Sequence, residues 1–112
     1  MNTYKRGDIW WIDLEQDKKD IDGHIQIGIR PCLVISNDIN NEYSPTLNVI
    51  PLSCKIKSLP VHTTIYLHNR LSIFLCEQIR TIPKSAVKEY YGYVSLVVME
   101  RVERCLKLQL GL

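Results

Sequence analysis

Short runs of β-branched and aromatic residues, each closed by a turn signal, recur through the first two-thirds of the chain. This rhythm limits the fold more than any other feature. Asp8–Leu14 carries two tryptophans and two isoleucines with charges at its edges, the pattern of a half-buried strand. Cys32–Ile35 is an apolar run between Arg30-Pro31 and Ser36-Asn37-Asp38, which reads as a buried strand between two turns. Leu47–Leu52 is a third strand. Its Pro51 has no N–H to give to a ladder and is placed at an edge or a bulge. Thr63–Leu67 is a fourth, and the stretch from Ser72 to Ile82 contains a fifth. Five short strands with turns between them predict a small antiparallel barrel.

From Ser95 the period changes. Leu96, Met99, Val102, Leu106 and Leu110 recur at steps of three or four, the spacing of one apolar helix face. Ser95 is a candidate N-cap and Gly111 a candidate stop. The chain is therefore expected to be mainly β with a terminal helix, in one domain spanning all 112 residues.

Composition narrows the function classes. Apolar residues make up 46% and charged residues 23%, ordinary globular usage. A net charge of +2 is too mild to demand a nucleic-acid partner. The four cysteines (Cys32, Cys54, Cys76, Cys105) form no close pair. They read as small buried hydrophobes in a reducing compartment, so neither a metal nor another cofactor is expected. With no signal peptide and no long apolar run, the chain is expected to stay in the cytoplasm, off the membrane.

Few residues offer chemistry. Arg30 stands where a long, mixed-charge segment, Glu15 to Gly28, enters the second strand. Its guanidinium fork matches phosphate oxygens, and a plain surface salt bridge is the competing reading. Ser53 ends the third strand; its hydroxyl can donate to a phosphate, or simply cap a turn. Lys55 and Lys57 follow, making a basic-polar patch suited to a phosphate backbone or to solvent. His24, His62 and His68 have no metal spacing, and Asn37 and Asp38 have the chemistry of a turn. Glu77, Gln78 and Arg80 interrupt an apolar strand without forming one polar stripe.

Taken in order, the fragments resemble a family: the MazF/PemK/Kid toxins of bacterial type II toxin–antitoxin modules. They are Arg6-Gly7-Asp8-Ile9-Trp10, Gly28-Ile29-Arg30-Pro31 leading into Leu33–Asp38, Tyr43-Ser44-Pro45-Thr46, Pro51-Leu52-Ser53, Leu59-Pro60-Val61-His62, and Glu77–Ile82. The likeness covers nearly the whole chain. It implies an SH3-like barrel with helical additions, of the CcdB/Kid/MazF type, closing on a homodimer. It implies sequence-specific cutting of single-stranded RNA, mostly mRNA, and a MazE-like antitoxin whose tail fills the RNA groove. It implies a catalytic pair, Arg30 and Ser53. The RNA-binding residues expected on this reading are Lys55, Lys57, Asn37, Gln78 and His62. Trp10, Trp11 or Tyr43 could stack bases, although adjacent tryptophans on a strand face opposite sides.

The implied chemistry is attack of a ribose 2′-OH on the adjacent phosphorus, leaving a 2′,3′-cyclic phosphate and a 5′-OH. Arg30 would clamp the charge that develops on phosphorus, since a guanidinium is a poor proton shuttle. The base would be water or a histidine such as His62. Ser in place of the family's frequent Thr keeps the hydroxyl. A CcdB-like toxin that binds a protein such as gyrase is the alternative, and a plain SH3-like binding module is a third reading.

Overall fold

The computed structural model describes residues 3–14, 27–54 and 63–112. The described elements are β1 (Asp8–Asp13), β2 (Ile29–Val34), α1 (Asp38–Tyr43), β3 (Thr46–Ser53), β4 (Thr63–Leu67), β5 (Arg70–Phe74), β6 (Arg80–Pro83), β7 (Val87–Tyr93) and α2 (Leu96–Leu110). Single 3₁₀ turns at Cys76–Gln78 and Lys84–Ala86 precede β6 and β7. All pairings are antiparallel, in the order β4-β5-β3-β2-β1-β7.

β3 organises the sheet. It pairs β2 along one side. Along the other, Thr46–Val49 pairs β6 and Leu52–Ser53 pairs β5. Pro51 sits at this changeover, where no ladder asks it for an N–H; its carbonyl accepts from Leu75 N at 2.9 Å. The sequence placed it at an edge or bulge, but β3 is a central strand and the break is a change of partner.

Side-chain alternation sends residues to two cores. Ile9, Leu33, Ile50, Leu52 and Phe74 pack with Val98, Met99, Val102 and Cys105 of α2. Trp10, Ile12, Cys32, Val34, Leu47, Val49 and Ile82 form the second. Gly7 turns the chain into β1 with φ 96°, a conformation that disfavours any side chain. Its N–H donates to Val34 O and its carbonyl accepts from Val94 N, tying the N-terminal turn to β2 and to the start of α2.

Several expectations change. The fifth strand is two strands, β5 and β6, separated by a 3₁₀ turn that holds Glu77 and Gln78. β7 went unread, although Val87–Tyr93 is rich in tyrosine. Asn37 does not open a turn. Its Oδ1 accepts from Asn40 N at 2.8 Å and caps α1. On α2, Ser95 and Gly111 cap as expected. The buried face, however, is Val98, Met99, Val102 and Cys105, with Leu96 82% and Leu110 52% exposed. Three cysteines are buried, but Cys54 is exposed. Among the described residues no helix is long and apolar enough to cross a membrane.

Candidate active site

Residues of five strands surround a cleft of about 360 Å³ lined by ten residues. β2 contributes Ile29, Arg30 and Pro31, and β3 ends in it with Leu52 and Ser53, followed by Cys54. β5 contributes Arg70 and Ser72, while Trp11 of β1 and Tyr91 of β7 make an aromatic wall. In that wall the two rings meet edge-on, with centroids 5.2 Å apart.

Arg30 and Ser53, far apart in sequence, line this one cleft. Arg30 lies within β2, which starts earlier than the sequence indicated. Its Nε donates to Ile27 O at 3.0 Å, so the side chain is steered while remaining exposed. Ser53 is placed by the last rung of the β3–β5 ladder, opposite Ile73. Because the side-chain period of a strand is two, a one-residue slip would turn Ser53 to the other face. Beside it, Cys54 Sγ lies 3.9 Å from the hydroxyl of the buried Ser72.

The other sequence-derived candidates lie elsewhere. Lys55, Lys57 and His62 fall outside the described residues. Asn37 caps α1 and is not among the residues lining the cleft. Gln78 sits on its 3₁₀ turn, where its Oε1 accepts from Arg80 Nη2 at 3.2 Å and its carbonyl accepts from Nε at 3.4 Å. Half-burial pulls the pKa of Arg80 below the usual range, and neighbouring Cys32 partly offsets that pull. Of the candidate stacking aromatics, Trp10 is buried in the second core, Trp11 is in the cleft, and Tyr43 stands exposed at the end of α1. His68 is in the β4–β5 turn, its Nε2 3.0 Å from Tyr91 O.

The whole chain, not only the cleft, fits one description. A model of the "PemK-like, MazF-like toxin of type II toxin-antitoxin system" matches residues 5–110. The chain belongs to this toxin family. It is similar to Endoribonuclease EndoA of Bacillus subtilis, 38% identical over 114 residues that cover 96% of this chain and 95% of that protein. In fold it is similar to MazF (Form-I) of Deinococcus radiodurans, with a TM-score of 0.86, 23% identity and all of both chains covered. It also resembles a mycobacterial endoribonuclease solved in complex with its cognate antitoxin, with a TM-score of 0.80 and 22% identity. That likeness covers 97% of this chain and 96% of the other.

Sequence reasoning missed Arg70, Ser72, Cys54 and Tyr91 as parts of the toxin's cleft. Arg70 left one signal: the His68-Asn69 pair, which suits a two-residue hairpin turn with positive φ.

Proposed function

We propose that this toxin is a sequence-specific endoribonuclease that cuts single-stranded RNA in the cytoplasm and is held in check by a cognate MazE-like antitoxin. Two copies forming a homodimer would extend the groove. One observation carries the reading: Arg30 and Ser53, on different strands, converge on one cleft in a chain of this family.

The cleft suits transesterification. The 2′-OH of the nucleotide before the scissile bond attacks phosphorus, and its proton passes to a base, either water or His62. The P–O5′ bond breaks, and O5′ takes a proton from water to leave as the 5′-OH. The phosphorus stays behind as the 2′,3′-cyclic phosphate. Arg30 presents its fork to the oxygens on which charge builds, and Ser53 adds a hydroxyl donor. Sequence-specific reading of RNA needs unpaired, splayed bases, because a duplex hides their edges in a deep, narrow groove. Lys55 and Lys57 are proposed to follow the backbone beyond Ser53, and the basic groove to receive the antitoxin's acidic tail.

The test is to incubate the purified protein with a long single-stranded RNA in EDTA and map the new ends. Recurrent cuts at one short sequence, with 5′-OH and cyclic-phosphate termini, are expected. Cutting that appears only when Mg²⁺ is supplied would overturn the mechanism, and no cutting would overturn the activity.

A further inference from the structure

The cleft holds two guanidinium groups, and the chemistry at the scissile phosphate uses one. The second belongs to Arg70, at the start of β5. It follows a tight turn in which His68 (φ 49°) and Asn69 (φ 65°) are both left-handed, the geometry of a type I′ hairpin. The ladder pairs Leu67 with Arg70 across that turn. The turn is fastened to β7: the His68 ring packs on Tyr91 with centroids 4.5 Å apart, and Nε2 meets the Tyr91 carbonyl. The backbone therefore sets where Arg70 stands.

The side chain of Arg70 is exposed, and it makes no ion pair or hydrogen bond with another described residue. None of the ten residues lining the cleft is acidic. In the sheet order, β3 lies between β5 and β2. Ser53 thus has Arg30 on one flank and Arg70 on the other. The two flanks are not equivalent. Ser53 is level with Ile73, and Arg70 is three positions further along β5, roughly 10 Å at the rise of a strand. That offset suits a different phosphate from the one at the Ser53 hydroxyl.

We propose that Arg70 grips the backbone phosphate next to the scissile one and so fixes the register of the RNA in the cleft. This rests on the RNA-cleaving reading above. A phosphate contact of this kind positions the strand without reading its sequence.

The test compares wild type, Arg70→Ala and Arg70→Lys, with Arg101→Ala, an exposed arginine of α2 outside the cleft, as control. The probe is a short RNA spanning a mapped cut site; a 2′-deoxy sugar at the scissile nucleotide blocks cutting for binding measurements. For Arg70→Ala, KM and Kd should rise with kcat little changed. The slope of log affinity against log salt should shrink by about 0.7, one phosphate contact on a single strand. Arg70→Lys should keep the wild-type slope, and Arg101→Ala should match wild type throughout. If Arg70→Ala folds poorly, wild type is measured on RNA carrying one neutral methylphosphonate at the adjacent linkage. That RNA should show the same loss of slope. A wild-type slope in both experiments would overturn the proposal, as would a fall in kcat with KM unchanged. If wild type neither binds nor cuts RNA, the reading of the function falls first. If it cuts and only the Arg70 results fail, that reading stands and this inference alone is lost.

Discussion

α2 and the cleft close the sheet in opposite ways. The helix buries Val98, Met99, Val102 and Cys105 against the first core, and its Glu103 is met by Arg6 Nη2 at 2.7 Å. Apolar contact is matched there by a paired charge. The cleft instead sets Arg30, Arg70 and Ser53 before an aromatic wall, with no acid in its lining. Positive charge without a lining counter-ion is costly to gather and useful for an anionic ligand. Stability and binding capacity thus sit in different places, and substitutions should separate them.

Arg30→Ala should give the largest effect. On the proposed mechanism, losing this charge clamp should slow cleavage on the order of 10²–10³-fold, while stability moves within about 0.5 kcal/mol, as for other exposed positions. Cleavage rates and a urea midpoint on the same preparation check both halves. Arg30→Lys keeps the charge and loses the fork, so it should remain well below wild type. An active Arg30→Ala would dissolve the contrast between the two regions.

Met99→Ala inverts the pattern. Met99 is 5% exposed in the helix-side core, so its truncation should cost roughly 2–5 kcal/mol of stability. The folded fraction should cut RNA at the wild-type rate per molecule. A chemical melt and single-turnover cleavage distinguish this from damage to the cleft.

Alkaline conditions should weaken the cores before they touch the cleft. Burial pushes the Cys32 thiol up to about 12, opposed in part by Arg80. Burial does the same to Cys76, also to about 12, with Cys105 adding to the rise. The unfolded thiols ionise near 9.0. The native state therefore keeps its full advantage below that value. It loses that advantage as pH climbs from there toward the folded pKa, because the unfolded chain releases protons the folded one retains. Urea midpoints should be level below 9.0 and fall above it. Exposed Cys54 should alkylate under native conditions while Cys32 and Cys76 do not.

Glu103→Gln should be the mildest change. The Arg6–Glu103 pair is 32% and 42% exposed, and such pairs contribute less than about 1 kcal/mol, less again in salt. Thermal melts at low and high salt measure it.

What the sequence disclosed follows the range of each signal. Local rules found the caps of α2 at Ser95 and Gly111 and the strand around Trp10; at Pro51 they placed an edge or bulge where β3 is central and changes partner. Nearest-neighbour reasoning also expected packing, not base stacking, for at least one of the two tryptophans, and Trp10 is buried. Periodicity went wrong where the packing partner decides. Leu96 and Leu110 fit the helical repeat, but the sheet meets α2 along Val98 and Cys105 instead. Asn37 had the chemistry of both a turn and an N-cap, and only the helix after it decides between them. The resemblance singled out Arg30 and Ser53, but no local pattern could reveal Ser72 or Tyr91 as their neighbours, and the His68-Asn69 signal marks the turn before Arg70 without saying which strands flank it. Those side chains reach the cleft through the pairing of β5 with β3 and of β7 with β1.

The last of those pairings has a consequence for synthesis. Trp11 on the first strand and Tyr91 on the seventh share the cleft wall, because β7 seats on β1. A ribosome adds about 5–20 residues per second, so Arg30 and Ser53 exist for seconds before the strand that completes their enclosure. Pairing segments so distant in the chain is also slow by nature. A nascent chain therefore passes through about a third of its translation with Arg30 and Ser53 made and the Tyr91 wall absent. A message severed before the Tyr91 codon yields polypeptides that never acquire the wall at all.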